Sequence, residues 1–186
     1  MPTAASTAAS LLDAQGIRVV VETLGRAVRA QLTDPTRLAF VGIRTRGVPL
    51  AQRLARAACA PEPPPPIGVL DITLYRDDLT RIAPHPLVRS TEIPFDLTGR
   101  EVVLVDDVLY TGRTVRAALD SLIDLGRPRL IRLAVLIDRG HRELPIAADF
   151  VGLRIDSKPS DLVQVYFDET DGRDGAELMA AGAAGS

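Results

Sequence analysis

"VVLVDDVLYTGRT", residues 102–114, is the stretch on which the reading of this chain turns. Its apolar run from Val102 to Val105 reads as a buried strand and stops on two adjacent carboxylates, Asp106 and Asp107. A small-residue turn follows, Thr111-Gly112-Arg113-Thr114, and then helical spacing begins. A turn that opens a helix presents free backbone N–H groups and the positive end of the helix dipole, which together favour an anion. Gly112 permits close backbone approach, and the hydroxyls of Thr111 and Thr114 add donors, so a phosphate monoester fits. The two carboxylates would repel that phosphate. Ionised carboxylates only accept hydrogen bonds, and vicinal hydroxyls are natural donors to them. A phosphate at the turn with a diol nearby describes a ribose 5-phosphate. An acid pair at a strand end also suits a metal or a phospho-acceptor site; the latter needs a partner lysine, and Lys158 is the only lysine in the chain.

The flanking sequence alternates between strand and helix patterns. Residues 1–12 are expected to be disordered, and residues 13–31 form a helix with Ile17, Val20, Val21 and Leu24 at helical spacing. "RLAFVGI" (37–43) reads as a strand, followed by the loop "RTRG" and the helix "PLAQRLARAACA" (49–60), which "PEPPPP" (61–66) stops. "IGVLDITLY" (67–75) and "EVVLVDD" (101–107) are strands, and "TVRAALDSLIDLG" (114–126) is a helix ended by Gly126. "RLIRLAVLID" (129–138) is a continuous apolar strand ending on Asp138. "ADFVGLRI" (148–155) and "LVQVYFDE" (162–169) alternate and are expected nearer a sheet edge, while residues 176–186 form a low-complexity tail expected to fray. Residues 75–98 hold three prolines and little periodicity. A loop beyond about 12–15 residues in a compact domain is usually functional or disordered, and this one reads as an arm beside the active site.

This order predicts an α/β fold in three layers, a parallel sheet with helices on both faces, as a single domain over residues 13–175. Ligands bind such sheets at the carboxyl ends of the strands. The loops "RTRG", "DDVLYTGRT" and "DRGHREL" leave three of those ends and are expected to converge.

Composition narrows the function classes. A hydrophobic share of 46% and a charged share of 25% in 186 residues are those of a soluble globular domain. Trp is absent and aromatics make up 4%, which argues against base stacking as the main recognition mode. A net charge of −2 argues against nucleic-acid binding by bulk charge, though not against a local basic patch. With one lysine there is no Walker-type phosphate loop, and with Cys59 alone there is no disulfide within the chain. No run approaches the ~20 apolar residues of a membrane span, the opening residues lack the basic start of a signal peptide, and a cytoplasmic location with no membrane partner is expected.

The whole of residues 102–114 resembles the phosphoribosyl pyrophosphate (PRPP) signature of type I phosphoribosyltransferases. "VGIRTRGVPLA", "DITLYRDDL", "IPFDLTG", "SLIDLGRP" and "LAVLIDRGHRELPI" further resemble the PyrR family, over roughly residues 37–152. The resemblance implies a type I phosphoribosyltransferase fold with a flexible arm and a small hood. It implies uracil phosphoribosyltransferase activity, giving UMP and pyrophosphate, with Mg²⁺ travelling on PRPP and no metal ligand from the protein. It also implies regulation of pyrimidine genes, through leader mRNA bound in response to UMP or UTP, and a homodimer or larger assembly. The alternative is a nucleotide-sensing RNA-binding regulator with vestigial catalysis. Where 6-oxopurine transferases usually carry a third acid in the signature, this chain has Tyr110, which speaks against a purine substrate.

Residue by residue, the resemblance places Asp106 and Asp107 on the ribose hydroxyls and Val108, Leu109, Tyr110, Thr111, Gly112, Arg113 and Thr114 around the 5-phosphate. Thr45, Arg46 and Gly47 fit the pyrophosphate loop, where such enzymes often use a strained peptide. Arg76 and Arg89 in the arm either close over pyrophosphate as a lid or are solvated loop charges. Asp138, Arg139 and Ile155 belong to the uracil pocket; His141 is either an acid–base group or, with Arg142, Arg18 and Arg26, an RNA contact. The chain departs from its relatives at positions that bear on RNA. Its first helix keeps Arg18, Arg26 and Arg29 but has no His, Ala147 stands where Arg is common, and "GLRIDSKPSD" lacks the usual Lys and Thr. Each missing cation removes a phosphate contact.

Overall fold

The computed structural model describes residues 8–31, 34–72 and 91–180. In chain order these form β1 (Ala8–Leu12), α1 (Ala14–Ala30), β2 (Leu38–Ile43), α2 (Gly47–Cys59), β3 (Ile67–Leu70), β4 (Glu101–Leu109), α3 (Arg113–Leu125) and β5 (Leu130–Asp138). They continue as β6 (Phe150–Arg154), β7 (Leu162–Tyr166), α4 (Asp168–Asp171) and β8 (Gly175–Met179). A parallel sheet runs in the order β3-β2-β4-β5-β6, and a second, antiparallel sheet runs β1-β8-β7. This is the predicted three-layer architecture, with a small hood.

Burial on both faces explains the unbroken apolar runs of the central strands. Along β4, Val103 and Val105 point to one side, where Phe40, Ala134 and Leu136 join Ile17, Val21 and Leu24 of α1 and Leu50 and Leu54 of α2. Val102 and Leu104 point to the other, where Val41, Leu133 and Val135 meet Val115, Ala118 and Leu122 of α3. The alternation is the period of two that a strand imposes. Helix α1 starts where the Asp13 side chain accepts the Gly16 N–H at 2.7 Å. No helix among the described residues is long and apolar enough to cross a membrane.

Because β2, β4 and β5 are neighbours, the three loops expected to converge leave adjacent strand ends. Local pattern misled elsewhere. Residues 8–12, expected in a disordered start, are β1, which pairs Ala8 with Met179 and Leu12 with Ala176. The expected frayed tail likewise supplies β8 up to Met179, held between β1 and β7. Neither segment has an alternation that announces it; β1 takes its ladder hydrogen bonds from β8, a pairing across most of the chain length that no local window contains. Strand β6 is the expected edge of the main sheet, whereas β7 belongs to the hood. The hood nonetheless shares one core with the main sheet, through Val163, Val165, Phe167 and Ala176.

Strand β3 is shorter than the expected 67–75 and gives way after Leu70. Most of the arm lies outside the described residues, including Arg76 and Arg89. Its end is anchored: Val69 and Glu92 exchange two backbone hydrogen bonds of 2.8 Å, and Leu97 is buried.

Candidate active site

The acid pair sits at the carboxyl end of the central strand. Asp106 is 7% exposed, and its Oδ1 accepts the backbone N–H of Asp107 at 3.0 Å. Burial pushes the Asp107 carboxyl above the ordinary carboxylate range; the hydrogen bond with Asp106 and the charge of Arg46 pull the other way. Beyond Val108, Leu109 and Tyr110 the chain turns through Gly112, at φ 91°. Only glycine adopts that conformation without a steric cost. Gly112 is also buried, and a Cβ there would touch Ile146 at 3.4 Å. The first i→i−4 bond of α3 runs from Arg116 N to Gly112 O at 2.9 Å, which leaves the Thr114 and Val115 N–H groups ahead of it. Thr111 Oγ1 lies 3.4 Å from Arg113 N. Arg113 itself is exposed and turns its guanidinium to Glu143 at 2.7 Å, so its main chain, not its side chain, faces the turn's concavity.

The loop after β2 packs directly on this strand. Its Arg44–Thr45 peptide bond is cis. Thr45 is exposed and Gly47 buried, and a Cβ on Gly47 would stand 2.4 Å from Val105 O and 3.3 Å from Asp106 Cα. Gly42 is equally close to the loop: a Cβ there would meet Gly47 O at 2.5 Å. Arg46, at the start of α2, makes a two-pronged ion pair with Asp171 of α4, Nη2 to Oδ1 at 2.8 Å and Nε to Oδ2 at 3.2 Å. Asp171 holds the Arg46 guanidinium protonated further above its ordinary range, and Arg46 in turn holds the Asp171 carboxyl below the usual one.

The loop after β5 forms a clasp. Arg139 is 5% exposed; its Nη1 donates to Asp161 O and its Nη2 to Lys158 O, both at 2.7 Å. The same guanidinium lies 4.2 Å over the Tyr110 ring, whose hydroxyl donates to Pro159 O at 3.1 Å. Arg139 Nε is buried with no hydrogen-bond partner. Ile155 N donates to Asp138 O at 3.0 Å and its side chain packs against the core. Asp138 therefore faces inward, its Oδ1 accepting from Gly140 N and from Arg142.

Arg142, expected among the RNA contacts, braces this loop. Its guanidinium reaches the carbonyls of Ile146 (3.0 Å), Tyr110 (2.7 Å) and Gly140 (2.9 Å) as well as Asp138. His141 is exposed, in left-handed backbone at φ 59°, with Nε2 2.6 Å from Ser157 O. Arg18 and Arg26 are exposed on α1 and bond along it, to Gln15 and Thr23.

Sequence reasoning missed the hood's part in this region. Arg53, two helical turns after Arg46, donates to Glu169 at 2.6 Å and to Asp174 at 2.8 Å, with Phe167 packed beneath it at 5.0 Å. The signal was present as two arginines seven residues apart on one helix face and an acid-rich turn, "DETDGRD" (168–174). Nothing local says that they meet.

The phosphoribosyl transferase domain family matches residues 7–170. A "Bifunctional protein PyrR" of Thermus thermophilus is 57% identical over 171 residues, covering 91% of this chain and 94% of the relative. The protein of that name in Deinococcus deserti is 54% identical over 171 residues, covering 91% of this chain and 93% of the relative. Among solved structures, a hypoxanthine phosphoribosyltransferase from Staphylococcus aureus superposes with a TM-score of 0.70 at 18% identity, covering 94% of this chain and 93% of that one. That likeness concerns the fold.

Proposed function

Since the chain belongs to the phosphoribosyl transferase domain family, and within it to the bifunctional PyrR proteins, we propose that it transfers the phosphoribosyl group of PRPP to uracil, giving UMP and pyrophosphate. The observation that carries this reading is the strand-end pair Asp106–Asp107 followed by the Gly112 turn that opens α3. The carboxylates accept the ribose 2- and 3-hydroxyls, and the N–H groups of Thr114 and Val115 with the Thr111 and Thr114 hydroxyls hold the 5-phosphate. The loop Thr45-Arg46-Gly47 faces the pyrophosphate with its main chain, the Arg46 guanidinium being held by Asp171. The anomeric carbon passes through an oxocarbenium-like state, so these residues act by positioning and by stabilising charge. Two carboxylates beside a hydroxyl-rich turn suit an ion that keeps its waters and rides on the substrate's phosphates, and Mg²⁺ bound to PRPP is such an ion. When bound it neutralises the departing pyrophosphate.

Arg139, Asp138 and Ile155 border the base site. Tyr110 and Arg139 together fix the loop from Lys158 to Asp161 as its wall. We further infer a regulatory role on leader mRNA in response to UMP or UTP, as the relatives' description "bifunctional" suggests. The side chains proposed for it are those of Arg18, Arg26, His141 and Arg142, and the protein acts in the cytoplasm as a dimer or larger homo-oligomer. Arg76 and Arg89, outside the described residues, keep both readings, a lid over pyrophosphate or solvated loop charges.

Turnover of labelled uracil with PRPP and Mg²⁺ tests the enzyme. Formation of labelled UMP is expected, and its absence from folded protein overturns the transferase reading. UMP-dependent retention of a pyrimidine leader RNA at about 150 mM salt tests the regulator, because phosphate-driven binding without specificity weakens steeply there.

A further inference from the structure

We propose that Asp171 is a positioning residue for PRPP binding: it holds the Arg46 guanidinium on the hood and so keeps that cation off Asp107. The inference rests on the PRPP reading above and adds to it a residue outside the signature and the pyrophosphate loop.

Arg46 stands between two acids. One is Asp171, engaged by both prongs of the guanidinium. The other is Asp107, next along β4 from Asp106, whose Cα would lie 3.3 Å from a Cβ on Gly47, the neighbour of Arg46; its charge also acts on Arg46. The pair with Asp171 is part-buried, with side chains 28% and 16% exposed, so solvent screens it less than a surface pair. Asp171 is itself fixed. Its Oδ2 accepts the Phe167 N–H at 3.0 Å, and its own N–H donates to Phe167 O at 2.7 Å. The flanking acids Glu169 and Asp174 are tied to Arg53 of the same helix that begins at Arg46. The turn 168–174 is thus a rigid acceptor, built to receive two cations of α2.

Without that acceptor, Arg46 would turn to Asp107. An arginine fork matches a carboxylate with two bonds, and Asp107 would then have fewer lone pairs for a ribose hydroxyl. PRPP would have to break that internal pair before binding. Once PRPP has displaced Arg46 from Asp107, the reacting groups would be placed as in the wild type. The signature of such self-masking is a raised KM for PRPP with kcat unchanged. A hood that had merely loosened would lower kcat and weaken uracil as well.

The test compares Asp171→Asn, Asp171→Glu, Arg46→Gln and the double variant Asp171→Asn/Arg46→Gln. Asparagine keeps an acceptor for the Phe167 N–H, and circular dichroism and the thermal midpoint report whether the hood persists. We expect Asp171→Asn to raise KM for PRPP about tenfold with kcat and KM for uracil within about twofold. Asp171→Glu should restore most of the loss, and Asp171→Asn should change nothing further in the Arg46→Gln background. A parallel fall in kcat, an equal effect on uracil, or additive losses in the double variant would overturn the proposal. Unchanged KM for PRPP in Asp171→Asn would also overturn it while leaving the PRPP reading intact. Wild-type protein that binds no PRPP would overturn both.

Discussion

Gly47 lies against Val105 so closely that a Cβ on the glycine would stand 2.4 Å from the Val105 carbonyl oxygen. The loop assigned to pyrophosphate and the strand that carries the acid pair are therefore in contact backbone to backbone, with no side chain between them. This contact sets the spacing between the two halves of the proposed PRPP site.

Gly47→Ala should consequently fail in binding more than in folding. The added methyl must push the loop away from Asp106, whose Cα it would approach to 3.3 Å. Overpacking of this kind costs about 1–3 kcal/mol of stability, and a displacement near 1 Å at the reacting groups costs about a hundredfold in rate. Thermal unfolding and PRPP titration of the same sample separate the two effects.

Asp106→Asn with Asp107→Asn should abolish PRPP binding while the fold survives, because both side chains serve the ligand. Unaltered uracil turnover in the double variant would show the ribose assignment to be wrong.

Asp107→Asn alone should also change the pH dependence of stability. Burial raises the folded-state pKa of Asp107 above its unfolded value. The folded state then binds the proton more tightly, and that contribution is complete below the unfolded pKa and lost as pH rises through the folded one. The wild-type thermal midpoint should decline across this window relative to that of Asp107→Asn, and the variant should be the more stable at neutral pH. A measured series of midpoints from acid to neutral pH checks the sign.

Arg53→Ala should loosen the hood by removing the partner of two acids at once. The Arg53 and Asp174 side chains are 17% and 13% exposed, so a loss of about 2 kcal/mol is expected, below the cost of a fully buried pair. Arg53 lowers the pKa of Glu169 and Asp174. Their contribution is present above the unfolded carboxylate values and is lost as pH falls through the folded ones. The variant should therefore lose stability at neutral pH and show a shallower decline in acid, measured by urea denaturation.

Arg139→Ala should weaken uracil and UMP more than PRPP, since its fork holds the Lys158 and Asp161 carbonyls of the wall beside Tyr110. Arg139→Lys should not restore the loss, because an ammonium cannot bridge both carbonyls and lie over the ring. Equal losses for base and PRPP would contradict the placement.

The sequence by itself determined the central sheet and pointed to the proposed site at its carboxyl edge. A strand buried on both faces is apolar for most of its length, so "VVLV" marked the strand and the acid pair toward its carboxyl end marked the proposed site, although β4 runs on through both acids to Leu109. The Gly112 turn was legible for a similar reason: its chemistry is local, one left-handed residue and the first N–H groups of a helix. The tertiary structure alone decided the hood. Strands β1 and β8 bond across the length of the chain, and Ala8–Leu12 has no pattern of its own to announce it. It decided, too, that Arg46 faces Asp171 and that Arg142 is turned inward on the Tyr110 and Ile146 carbonyls. A guanidinium reads the same in sequence whether it meets a phosphate, a carboxylate or a carbonyl; which of them it meets depends on what the fold brings within 3 Å.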